Sequence, residues 1–180
     1  MKTIFLALFI SLFNAGNAQK SLHKIMDSSF NNIIGMDIEL VNRRVKIEKI
    51  DTSNNLKFCL SHFKISGKIV NIRTRLFESV YVDETYFSIN KNNRISLVIF
   101  MINHRDNQKV SDSLKYHLGK PDKTLHTDFS KVFDIETEDP VSYFWRFHNY
   151  GFQLLSDICS GYDLLLLTNN DPEQYFFHLN

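Results

Sequence analysis

The chain reads as an α+β protein, and three observations predict it. Apolar residues alternate with polar ones over several short segments, the pattern of strands with one buried face. Short polar turns join those segments, which suits antiparallel hairpins rather than long crossovers. Only two segments carry a helical period. The expected architecture is an antiparallel sheet, made of a hairpin plus a C-terminal three-stranded meander, with two short helices packed on one face.

Residues 1–18 stand outside that domain. Lys2 gives a positive start, Thr3 to Phe13 is almost wholly apolar, and Ala15, Gly16, Asn17 and Ala18 are small or polar. Such an order defines a secretory signal peptide, with cleavage expected after Ala18. The apolar run falls short of the about 20 residues that span a bilayer. No Cys stands at the cleavage site to take a lipid. The expected location is the periplasm or the outside of the cell, with residues 19–180 forming a single domain.

Along that domain, Leu22, Ile25, Met26, Phe30 and Ile33 recur at helical spacing, and Gly35 offers a stop. Ile34, Met36, Ile38 and Leu40 then alternate as a strand, continued by Val45 and Ile47. Leu56, Phe58 and Leu60 alternate as a further short strand, although Leu56, Leu60 and Phe63 also fit a helical spacing, and Ser66 and Gly67 mark a turn. Val70, Ile72, Thr74 and Leu76 face one way, with Asn71, Arg73 and Arg75 opposite. Thr85, Phe87 and Ile89 lead through Asn90, Lys91, Asn92 and Asn93 into Ile95, Leu97, Ile99 and Met101, the clearest hairpin in the chain. Val98, Phe100 and Ile102 make its second strand apolar on both faces, so this strand should be central and covered on both sides.

The second helix starts at Asp106, a potential cap, and places Val110, Leu114, His117 and Leu118 on one stripe. Gly119 and Pro121 end it. A long polar stretch runs from Asp122 to Pro140. Val141, Tyr143, Trp145 and Phe147 alternate as a strand, followed by strands at Phe152–Ser156 and Tyr162–Thr168. Tyr175, Phe176 and Phe177 are expected to dock the tail.

Composition narrows the function classes. The full chain has 21 basic and 20 acidic side chains, and loss of Lys2 with the signal leaves 20 of each. A neutral domain gives no electrostatic case for nucleic acid or an anionic membrane. No later apolar stretch is long enough to span a membrane. Cys59 and Cys159 meet an oxidising compartment on export, where they form either a disulfide or two buried thiols. Closing a loop of about 100 residues is worth roughly 4–5 kcal/mol in the chain-entropy account.

The segment Val110 to Leu114, the run Leu118-Gly-Lys-Pro-Asp122, Tyr143-Phe-Trp145 and Gly151-Phe-Gln-Leu154 together resemble a corner of known envelope proteins. It is similar to the helix, turn and Trp-bearing strands of SmpA/OmlA-type outer-membrane assembly lipoproteins and of the β-lactamase-inhibitor-like fold. The likeness covers about a third of the chain, and this chain lacks the lipoproteins' lipidated Cys. It implies a binding or assembly scaffold and carries over no functional residue.

The seven His residues show no tight zinc spacing, and no phosphate loop, dinucleotide fingerprint or GxSxG element is present, so no cofactor, metal or catalytic residue is assigned. His104 stands near Asp106, and reads as a loop or helix-start residue. Asp134, Glu136, Glu138 and Asp139 read as a solvated acidic loop. The strongest candidate surface is the strand face of Phe144, Arg146 and His148, because an aromatic ring beside Arg is common at interfaces. The leading expectation is an exported, non-enzymatic interaction or assembly module whose partner is another envelope or secreted protein. A small secreted hydrolase, whose His and carboxylate groups meet only in the fold, is the alternative, with an inhibitor or immunity protein as a third reading.

Overall fold

In the computed structural model the described residues are 33–49, 60, 63, 65–70, 75–77, 80–126, 141–147, 150–159 and 161–168. They form one antiparallel sheet and two helices. In chain order these are α1 (Ile38–Asn42), β1 (Lys46–Glu48), β2 (Gly67–Val70), β3 (Arg75–Leu76), β4 (Val80–Ile89), β5 (Ile95–Asn103), α2 (Asn107–Leu118), β6 (Lys123–His126), β7 (Val141–Phe147), β8 (Tyr150–Cys159) and β9 (Tyr162–Thr168). A short 3-10 turn, His104–Asp106, links β5 to α2. The sheet order is β1-β2-β4-β5-β9-β8-β7-β6, with β3 paired to β4.

The sheet is sorted by the two faces of its central strand. Val98, Phe100 and Ile102 of β5 join one apolar cluster, together with Trp145, Phe152, Leu165 and Leu167. Leu97, Ile99 and Met101 join a second, with Leu155, Leu164 and Leu166. Period-two alternation sends neighbouring side chains to opposite faces, so a strand apolar at every position must be covered twice. Both helices pack on the first face, α1 through Val41 and α2 through Val110 and Leu114. Among the described residues no helix is long and apolar enough to cross a membrane.

Several expectations change here. The alternating run Ile34 to Leu40 is not a strand: its second half belongs to α1. Gly35 takes φ +84°, which breaks an extended path. The Asp37 side chain then accepts from the Glu39 amide at 2.8 Å and caps a helix. Val41 turns inward, while Leu40 stays 48% exposed. Gly67 lies within β2 rather than in a turn, and space is the reason. A Cβ there would stand 2.7 Å from Cζ of Phe87, whose ring crosses the glycine from the paired strand.

The Val70–Leu76 strand is represented by β2 and β3, with 71–74 outside the described residues. The polar stretch after Pro121 contains a strand that its composition conceals, β6, paired along β7 at the sheet edge. Asp106 makes no side-chain cap bond, because Lys109 Nζ holds its carboxylate at 2.6 Å. The expected signal peptide, the expected first helix up to residue 32, the Leu56 and Phe58 positions, the acidic residues 134–139 and the aromatic residues 175–177 lie outside the described residues.

Candidate functional site

The strand face expected to make contacts is only partly a surface. Phe144 is 2% exposed, so its ring belongs to the interior. Arg146 is exposed, and its guanidinium carbon stands 5.9 Å from the centre of that ring. Asp122 fixes the Arg146 backbone by accepting its amide hydrogen, and the Asp122 amide donates to the Phe144 carbonyl at 2.8 Å. His148 lies outside the described residues, as do Cys59 and the side chain of Cys159. Arg73 also lies outside them.

Two other groupings emerge from the fold. The first lies where β5 runs into α2. Asn103 accepts from the Arg105 amide at 3.1 Å and starts the 3-10 turn. The His104 amide donates to the Gly161 carbonyl at 3.0 Å, which anchors this turn to the β8–β9 connection. Asp163, paired with Ile102 across β5–β9, points to the helix-bearing face and is 0% exposed. A carboxylate taken from water needs donors around it. His104 Nδ1 lies 2.8 Å from Asp163 Oδ1, and Asn107 Nδ2 donates to Oδ2. The same Asn107 amide donates to Ser156 Oγ at 2.8 Å. Ser156 is set by an irregularity in β8, where the register against β9 shifts between Leu155 and Cys159.

This corner therefore joins His104, Asn107, Ser156 and Asp163, four residues scattered over 60 positions of chain. Pairing His104 with Asp106 by proximity misses it. One signal was present: Asp163 interrupts an otherwise apolar strand, Tyr162-Asp-Leu-Leu-Leu-Leu-Thr168, and a charge inside such a strand needs a partner. Among the described residues no group of three or more His, Cys, Asp or Glu side chains is placed to hold a metal ion.

The second grouping is aromatic. Tyr116 on α2 is 84% exposed and meets His117 edge-on, with ring centres 5.0 Å apart. His117 stacks on Phe77 at 6.0 Å with the rings within 6° of parallel. Phe77 holds φ +54°, a left-handed conformation unusual for a bulky residue. Beside them Lys115 places its ammonium 5.4 Å from the centre of the Tyr143 ring.

Fold and sites together define an antiparallel α+β structure carrying a buried Asp163 beside a half-exposed His104 and, further along α2, an aromatic row of which Tyr116 is the exposed ring. No protein family and no curated protein matches this chain. A DUF4309 family protein (YjgB) from Bacillus subtilis subsp. subtilis str. 168, known from its crystal structure, is similar at 12% identity. The similarity spans 86% of this chain and 94% of that one, with a TM-score of 0.46.

Proposed function

We propose that the chain is an exported interaction or assembly module of the periplasm or cell envelope, and that it meets a protein partner through the row Phe77, His117 and Tyr116. The observation that carries this reading is the ring of Tyr116, almost wholly in solvent and edge-on to His117. Single exposed apolar residues are ordinary, but an aromatic row backed by a strained Phe77 is a rarer feature. Tyr is enriched where interfaces concentrate binding energy, since one rigid ring gives much contact area.

A photo-crosslinking amino acid at position 116 tests the reading directly, with position 40 as a control, because Leu40 is also exposed. The account expects one discrete adduct from position 116 and none from position 40. Equal or absent adducts from both contradict it.

The hydrolase reading has one specific observation in its favour, the meeting of His104 with Asp163. Ester turnover that depends on His104 tests it.

A further inference from the structure

We propose that the rim formed by α1 and β1 is a peripheral contact for an anionic membrane surface, with Leu40 entering the headgroup boundary between Arg43 and Arg44; this rests on the envelope location proposed above and not on the contact at Tyr116. Val41 is buried, and Val45, one helical turn on, packs against the same apolar cluster. The Arg44 and Val45 amides both donate to the Val41 carbonyl, at 2.8 and 3.0 Å, so the helical turn runs on past Asn42. In that turn Leu40, Arg43 and Arg44 stand at i, i+3 and i+4 and share a face, turned away from the side of Val41 and Val45. All three are exposed.

Positive charge is concentrated at the same rim. Arg43, Arg44, Lys46 and Lys49 fall within seven residues, and all four are exposed. Between residues 39 and 49 the carboxylates are Glu39 and Glu48. Among the described residues none of the four cations has an ion-pair partner. Neutrality of the whole chain hides this patch, because at physiological salt a charge acts over about 8 Å and only its neighbours count. Strand β1 begins the sheet order, so it forms an edge. A lysine on a short edge strand discourages strand pairing, which accounts for Lys46. It does not account for two arginines on the preceding turn, nor for a leucine left in water between them. Headgroup phosphates accept from guanidinium groups in the two-pronged geometry that arginine offers. Leu40 gains only where an apolar layer lies just beneath those phosphates. A bilayer supplies that layer, and a soluble polyanion does not.

The test is sedimentation of residues 19–180 with vesicles of phosphatidylcholine alone, or of equal parts phosphatidylcholine and phosphatidylglycerol. In about 0.1 M salt the anionic vesicles are expected to carry down about tenfold more protein than the neutral ones, and about 1 M salt should abolish the difference. Arg43→Glu combined with Arg44→Glu should lower binding to the anionic vesicles about tenfold. Leu40→Ser should lower it about threefold, while Tyr116→Glu stays within about twofold of the wild type. Equal sedimentation with both vesicles, or a double variant that binds as the wild type does, overturns the contact. Unchanged binding by Leu40→Ser overturns the insertion of the leucine. Loss of vesicle binding in Tyr116→Glu overturns the assignment to this rim. Circular dichroism checks the fold of each variant, and Arg43→Gln with Arg44→Gln takes the place of a double variant that does not fold. Failure of crosslinking at position 116 bears on the protein partner alone, and failure of sedimentation bears on this rim alone.

Discussion

The indole nitrogen of Trp145 donates to the carbonyl oxygen of Gly119 at 3.0 Å, which ties the middle of β7 to the point where α2 stops. Gly119 holds φ +87°, and its own amide returns to the Lys115 carbonyl, so helix end and strand are fixed by the same residue. Trp145→Phe is expected to lose about 1 kcal/mol for the bond alone. Trp145→Ala should lose about 3–5 kcal/mol, because the ring is fully buried. Urea unfolding followed by circular dichroism measures both.

Gly67→Ala is expected to destabilise the fold by about 1–3 kcal/mol through overpacking, since the new methyl group meets the Phe87 ring and the Glu48 carbonyl. Phe87→Leu in the same chain should recover part of that loss by withdrawing the ring. A double-mutant cycle in urea gives the coupling, and strictly additive losses would contradict the contact.

Alkaline pH should unfold the protein partly through Tyr86. Burial raises the pKa of its hydroxyl well above the usual value, and the hydrogen bond to Glu84 and that carboxylate's charge raise it further. Lys68 holds the other oxygen of Glu84 at 2.9 Å. A group whose pKa is raised on folding keeps its full contribution below the unfolded value, about 10 for Tyr. Above that, the unfolded chain releases the proton while the folded one retains it. Stability is then lost by up to about 1.4 kcal/mol per pH unit as the pH rises toward the folded value. Tyr86→Phe should flatten this loss above pH 10, measured by urea midpoints at successive pH values.

Asp163→Ala should cost about 1.5–3 kcal/mol, because it leaves the Asn107 amide without its charged acceptor. Hydrogen exchange should localise the effect to the start of α2, and uniform loss across the sheet would contradict a local role.

The central strand β5 was legible because burial on both sides leaves an almost unbroken apolar run, Ile95 to Ile102. Helix α2 was legible from Val110, Leu114 and the Gly119 stop. The stretch Ile34 to Leu40 misled because alternation and a short capped helix share the same few apolar residues, and the left-handed Gly35 with the Asp37 cap decided between them. Strand β6 was hidden because an edge strand is held by its ladder to β7 and needs little apolar alternation. The Asp163 corner was unreadable as a whole, since its four residues meet only through the β5–β9 pairing and the β8 irregularity. Phe144 and Arg146 were placed correctly on one strand face, but which face is covered depends on the rest of the sheet.

The measurement that tests the central claim most directly is partner capture by residues 19–180 from an extract of the producing cell and its medium, compared between wild type, Tyr116→Glu and Leu40→Glu. The account predicts one stoichiometric partner that Tyr116→Glu loses at least tenfold and Leu40→Glu retains. Equal capture by all three proteins, or no partner above background, would contradict a contact surface at Tyr116.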